Sequence, residues 1–339
     1  MRFLCLPGAY GSAKNFGVQL GPFAKHMEDR GLATFAFTQG AHEVEPPLGW
    51  ENYFGSRPLY RFIDAAEGDA FEVVRRVRHI PRGLSPEATL RLFKPDRPVD
   101  VDWTTFRDAL SGILKTIEDD PEIDGLIGYS EGAMMAASIC AEEHRRWEEK
   151  GTPRRIKFAI FFAGTPPLVA EGDGFIAKLA DEYGTTIDIP TFHVFGSNDP
   201  LVYSSVALYN ACNPDLAQLY DHGLGHLVPR DADNVEQLGD TLSDVITKIN
   251  KVQEKEAAAA VARGRSEEGN SENSDDKVLR DSSRPGTESD FTTEEFTIES
   301  SAPTSSASSS GSSTGSTAET SDLESRSSHG NGPEEVKKI

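Results

Sequence analysis

Ser130 stands between two glycines in Gly128-Tyr129-Ser130-Glu131-Gly132, after the apolar pair Leu126-Ile127 and before a stretch rich in Ala and Met. Where a buried strand turns sharply into a helix, the apical serine takes a strained backbone conformation with its hydroxyl exposed above the sheet. The flanking positions then have room only for glycine. The Ala/Met stretch favours helix. In this setting G-x-S-x-G makes Ser130 a candidate nucleophile and turns the amide of Glu131 toward the same space; the competing reading is a serine at a helix N-cap.

A serine hydroxyl attacks a carbonyl well only when a base accepts its proton, and the base keeps one tautomer when a carboxylate holds it. In hydrolases built on doubly wound sheets the acid and then the histidine follow the serine, each on a loop at the C-terminal end of a strand. Asp199, in Gly196-Ser197-Asn198-Asp199-Pro200, and His226, closing Asp221-His222-Gly223-Leu224-Gly225-His226, stand in that order. Asp221 competes as the acid, but it lies too near His226 in sequence to reach its far nitrogen easily. His222 competes as the base, yet it follows the strand at once, whereas His226 lies deeper in the loop. The spacing of four between these histidines suits a metal pair, but the glycines between them disfavour a helix and no third ligand is evident. The sequence thus calls for neither a metal nor a cofactor. His193, inside Pro190–Phe195, reads as a core residue.

The chemistry is attack of Ser130 on an ester or thioester carbonyl, with His226 as general base and Asp199 orienting it. The amide of Glu131, and that of Ala9 in the loop Pro7-Gly8-Ala9-Tyr10-Gly11-Ser12, would hold the oxyanion, each contributing about 3 kcal/mol. Tyr10 is the alternative second donor. The charged side chain of Glu131 must point away from the developing anion or be paired.

The elements that position these groups alternate. Phe3–Leu6, Leu32–Phe37, the run before Ser130, Ile156–Ala163, Pro190–Phe195 and Ala217–Tyr220 read as strands. Helical spacing is evident over Asn15–Arg30, Asp102–Asp119, the stretch after Ser130 to about Glu149, Phe175–Tyr183, Val202–Cys212 and Asn234 to about Ala262. This alternation predicts an α/β fold, a doubly wound and mostly parallel sheet with helices on both faces. Residues 39–98 are irregular but aromatic, with Trp50, Tyr53, Phe54, Tyr60 and Phe62, and a helix is expected near Glu67–Arg78. They read as a cap-like insertion walling the site. Residues 1–262 form the catalytic domain. Residues 263–339, dominated by Ser, Thr, Glu and Gly, bury too little apolar surface to offset ordering and read as a disordered tail.

The net charge of -21 over 339 residues argues against a nucleic-acid partner, because no basic patch could neutralise phosphates. Cys5, Cys140 and Cys212 are an odd, widely spaced set without C-x-x-C, which suits reduced core residues. No signal peptide and no apolar run of membrane-spanning length is evident, so the cytoplasm is the expected location.

Four segments together carry a resemblance: F-L-C-L-P-G at 3–8, G-Y-S-E-G-A at 128–133, H-V-F-G-S-N-D at 193–199 and H-G-L-G-H-L-V-P at 222–229. In that order they resemble the fungal serine hydrolase family of small α/β-hydrolases over about Met1–Lys251. The resemblance implies Ser130, Asp199 and His226 as the triad and the first loop as part of the oxyanion hole. It further implies an esterase, or a thioesterase that releases chains from the acyl carrier protein of a polyketide synthase. The aromatic segment Leu48–Phe93 is similar to that secondary-metabolite branch. Many members carry His where Pro7 stands, so a polar contact from that position is absent. A general carboxylesterase of small or lipid esters is the alternative, and an inactive scaffold with an interaction tail is the alternative of another class.

Overall fold

The computed structural model describes residues 1–51, 53–64, 79–81, 83–92 and 102–271, with 252–271 described by their backbone alone. The expected helix near 67–78 and the tail from 272 onward lie outside the described residues. The chain runs β1 (Arg2–Leu6), α1 (Ala13–Asp29), β2 (Thr34–Phe37), β3 (His42–Val44), β4 (Leu59–Arg61), α2 (Pro86–Leu92), α3 (Trp103–Asp119) and β5 (Ile123–Tyr129). It continues through α4 (Glu131–Lys150), β6 (Phe158–Phe162), β7 (Leu168–Glu171), β8 (Gly174–Ala177), α5 (Ala180–Tyr183), β9 (Thr191–Phe195), α6 (Val202–Asn210), β10 (Ala217–Asp221) and α7 (Ala232–Ser271).

Six strands make one sheet in the order β10-β9-β6-β5-β1-β2, and every pairing in it is parallel. Successive strand residues face opposite sides, and here both sides are covered. Leu4, Leu6, Leu126 and Phe161 pack with Phe106 and Ile113 of α3 and Met135 and Ile139 of α4. Phe3, Cys5, Ile127, Ile160 and Phe162 pack on the other face with Phe16, Leu20 and Phe23 of α1 and Leu238, Leu242 and Ile246 of α7. Burial on both faces is why β6 reads Phe-Ala-Ile-Phe-Phe without a polar residue.

Local chemistry sets the helix ends. Ser12 caps α1 by accepting the Asn15 amide at 3.1 Å, Asp102 caps α3 by accepting that of Thr104 at 2.9 Å, and α4 stops at Gly151 in the left-handed region, φ 66°. The closing helix runs beyond 262, through an Ala-rich stretch of high helix propensity. The chain leaves β1 for β2 on one side and later returns to β5 on the other. The crevice at the C-terminal ends of β1 and β5 is therefore the switch point of the sheet, the place where such folds bind ligands.

Residues 168–183 differ from expectation in type of structure, beyond the short elements β3, β4 and α2 within the segment read as irregular and the extension of α7 into residues 263–271, read as disordered tail. The sequence predicts a helix over 175–183, but β7 and β8 form an antiparallel hairpin that turns at Gly172, φ 57°, and only Ala180–Tyr183 is helical. Tertiary packing overrides propensity here: Phe175 sits 4.5 Å from the ring of Phe106 and 5.7 Å from that of Trp103, which an alternating strand delivers.

His193 is a core residue, buried in β9 between Phe161 and Tyr209, with Nε2 3.1 Å from the Thr191 hydroxyl. Burial pushes its pKa from 6.5 down to about 3. The unfolded chain therefore binds a proton that the folded protein refuses, and stability falls as pH drops below 6.5. Going from pH 7 to pH 5 is expected to cost roughly 1–2 kcal/mol through this residue. Urea melts at both pH values check it: His193→Leu should remove that part of the pH dependence.

Candidate active site

The elbow is built by close approach. A Cβ at Gly128 would overlap the Ala133 backbone and the Gly132 carbonyl, and one at Gly132 would overlap the carbonyls of Leu6 and Pro7. Helix α4 thus lies against both β5 and the end of β1. Ser130 between them is held at φ 52°, ψ -114°, a conformation that costs a residue with a side chain about 1–3 kcal/mol. Its amide donates to Phe162 O at 2.9 Å, and its carbonyl accepts from Ala133 and Met134, so the strain is locked in by the backbone around it.

The structure brings Ser130, His226 and Asp199 together, although they leave three different strands. His226 Nε2 lies 3.0 Å from Ser130 Oγ, and His226 Nδ1 lies 2.7 Å from Asp199 Oδ2. Asp199 is buried, and its other oxygen accepts the Leu201 amide at 2.7 Å, so both carboxylate oxygens are occupied and the group cannot swing. The imidazole is half-buried, whereas the Asp199 side chain is fully buried.

Adjacency of β9 and β10 brings Asp199 and His226 together. Asp221 joins their loops: its Oδ1 accepts the amides of Ser197 and Gly223, each at 2.8 Å. That bonding, and not contact with His226, is where Asp221 is spent. His222 is also buried but turned inward, its Nδ1 accepting the Leu224 amide at 3.2 Å. Burial lowers its pKa. The two histidines four residues apart do not form a pair, and among the described residues no cluster of three or more His, Cys, Asp or Glu side chains could hold a metal.

The first loop lies against Ser130. A Cβ on Gly8 would sit 2.9 Å from the Tyr129 ring and 3.2 Å from Ser130 Cβ, so Gly8 is required for the approach. Gly8 to Gly11 form a turn closed by the Gly11 amide on Gly8 O at 3.0 Å, with Tyr10 at φ 60°. Among the described residues, the amides of Ala9, Tyr10 and Glu131 have no intramolecular acceptor.

The Glu131 carboxylate points away from the serine. Oε1 accepts the Ile63 amide at 3.0 Å, and Oε2 lies 3.4 Å from Arg61 Nε. Burial pushes this carboxyl upward, while Arg61 and the Ile63 amide oppose the shift. Both oxygens face donors, the arrangement of an ionised carboxylate.

Two further residues hold the site and were not assigned a role from sequence. Tyr129 donates its hydroxyl to the His226 carbonyl at 3.0 Å and packs its ring 5.4 Å from the imidazole, which ties the His226 loop to the elbow. Its place inside the G-x-S-x-G motif was the one available signal. Asn15 donates to the carbonyls of Phe54 and Ser56 and accepts from the Ser56 hydroxyl. That contact fixes the inserted segment over α1, and nothing in the spacing of Asn15 announces it.

An all-parallel sheet carrying a strained serine above its switch point, with an aspartate and a histidine brought to it by loops from neighbouring strands, is the α/β-hydrolase architecture. Within that class, the chain belongs to the FSH1 serine hydrolase family, whose model matches residues 1–238. It is similar to Esterase FPY3 of Fusarium mangiferae, 25% identical over 73% of this chain and 98% of the relative. Hydrolase phiM of Talaromyces stipitatus is 26% identical over 68% of this chain and 82% of its own. Esterase OVCA2 of Homo sapiens is 26% identical over 68% and 89% respectively. No helix among the described residues is long and apolar enough to cross a membrane.

Proposed function

We propose that this serine hydrolase opens acyl esters or thioesters through Ser130 as nucleophile, His226 as general base and Asp199 as the group that holds the base. The observation that carries this reading is the unbroken chain of contacts, 3.0 Å from serine to imidazole and 2.7 Å from imidazole to carboxylate. Ser130 Oγ adds to the carbonyl carbon as its proton passes to His226 Nε2; the imidazolium then returns that proton to the departing alcohol or thiol. Water, activated by the same histidine, releases the acid and restores the serine. The amides of Glu131 and Ala9 hold the oxyanion, with Tyr10 as the alternative to Ala9; each is at the close-packed junction of the first loop and the elbow.

The finer reading is release of a polyketide-type acyl chain, with the acyl carrier protein of a synthase as partner. Its support is the aromatic wall beside the elbow: Tyr10 lies 4.8 Å from Phe54 between ring centroids, Phe54 5.1 Å from Tyr53, and Tyr53 4.9 Å from Trp50. Such a surface suits a long or planar apolar acyl group. In this reading residues 39–98 serve as the cap over the acyl group and residues 263–339 take no part in catalysis. The proposed setting is the cytoplasm, which suits the free buried thiols of Cys5, Cys140 and Cys212. The esterase names of FPY3 and OVCA2 favour the second reading, a carboxylesterase of small or lipid esters.

A fluorophosphonate probe should label Ser130 in the folded protein, and absence of an adduct would refute the nucleophile. Turnover of carrier-bound aromatic acyl thioesters against short p-nitrophenyl esters separates the two substrates. Chain release predicts kcat/KM at least about tenfold higher on the thioester, worth some 1.4 kcal/mol of wall contact. An equal or lower value leaves the carboxylesterase.

A further inference from the structure

Glu131 poses an electrostatic problem for any reaction that develops negative charge beside its own amide. A carboxylate a few ångströms behind an oxyanion hole opposes the transition state that the hole exists to stabilise. The structure contains the answer, in a residue from the inserted segment. Arg61, at the end of β4, places Nε 3.4 Å from Glu131 Oε2, and both side chains are largely buried, 17% and 7% exposed. The guanidinium also stands over the ring of Tyr10, with its carbon 5.8 Å from the centroid. One cation thus touches both segments that carry the proposed oxyanion amides, the elbow at Glu131 and the turn at Tyr10.

The backbone on either side of Arg61 is tied to the same two places. The Tyr60 amide donates to Gly11 O at 3.0 Å, closing an antiparallel bridge to the first loop, and the Ile63 amide donates to Glu131 Oε1. Gly40 allows this strand to pass, since a Cβ there would overlap the carbonyl of Arg61.

We propose that Arg61 is a positioning residue of the oxyanion hole, neutralising the Glu131 carboxylate and bracing the turn at 8–11 against the elbow. This inference rests on the nucleophile reading given above. It concerns charge as well as support, and the two are separable. Were Arg61 only a strut, removing it would loosen the aromatic wall, raise KM, and gain nothing from a second change at Glu131. With charge neutralisation, removing Arg61 alone leaves an unpaired carboxylate behind the hole, and removing that carboxylate as well relieves it.

The experiment is a double-mutant cycle on the full chain, read as kcat and KM on a p-nitrophenyl ester and as the rate of fluorophosphonate labelling. Arg61→Gln is expected to lower kcat and the labelling rate by about 10- to 100-fold with KM within about twofold, since the lost stabilisation belongs to the transition state. Glu131→Gln is expected to lose less than Arg61→Gln, and Arg61→Gln/Glu131→Gln to regain about tenfold or more over Arg61→Gln. Arg61→Lys, which keeps the charge, is expected to hold kcat within about fivefold of wild type. If Arg61→Gln does not fold, Arg61→Lys and the double variant carry the comparison, and a larger loss than that in both overturns the proposal. A wild-type kcat in Arg61→Gln, or a double variant no faster than Arg61→Gln, also overturns it while leaving the nucleophile reading intact. Wild-type protein that takes no label at Ser130 removes both.

Discussion

Ser130→Ala is expected to lower kcat by on the order of 10⁶ and to abolish fluorophosphonate labelling, with the protein still folded. The size follows from the way the three groups depend on one another. His226 has nothing to deprotonate once the hydroxyl 3.0 Å from its Nε2 is gone, and Asp199 then orients a base without a task. What remains is binding and the oxyanion amides. Stability supplies an independent check, because the backbone at this residue is strained at φ 52° and ψ -114°. Alanine keeps a Cβ and keeps that strain, so its melting point should match wild type. Ser130→Gly removes the Cβ and should gain about 1–2 kcal/mol while being equally inactive. Activity within about a hundredfold of wild type in Ser130→Ala would remove this serine from the chemistry.

The second large effect is expected from Asp199→Asn, on the order of 10⁴ in kcat with little change in KM. The argument turns on the partner of the other carboxylate oxygen. Oδ1 accepts the Leu201 amide at 2.7 Å, and a backbone N–H requires an acceptor there. The asparagine must therefore offer its carbonyl oxygen to Leu201 and its NH₂ to His226 Nδ1. The imidazole then takes the tautomer with the proton on Nε2, which faces Ser130 and cannot accept a second one. A pH–rate profile separates this from simple loss of charge, since hydroxide is able to restore part of the rate at high pH. Loss of less than about tenfold would mean that Asp199 does not hold the base. Asp221 is no substitute, because its Oδ1 is committed to the amides of Ser197 and Gly223.

Much of this architecture is local and therefore legible in the chain itself. Glycine at 128 and 132 is dictated by backbone contacts within one strand-turn-helix unit, and runs such as Phe158–Phe162 can only be strands buried on both faces. The meeting of Asp199 and His226 is legible for the same reason: each lies in a loop at the end of a strand, and a parallel sheet brings such loops to one edge. The hairpin at 168–177 was not readable, because Phe175 is drawn into strand geometry by Phe106 and Trp103, residues some seventy positions away.

Side-chain direction in the inserted segment belongs to the tertiary structure alone. Composition around 39–64 shows aromatics and prolines but no period, so no spacing says that Arg61 will meet Glu131 or that Asn15 will bind Phe54 and Ser56. Glu131 posed a question that sequence could state and not answer, whether its charge points away or is paired. Folding answers both ways: the carboxylate is turned from Ser130 and is met by a cation from a strand 70 residues earlier. Periodicity encodes which face of an element is buried, whereas a pair of charges across two loops depends on how those loops are brought together, and only the packed chain decides that.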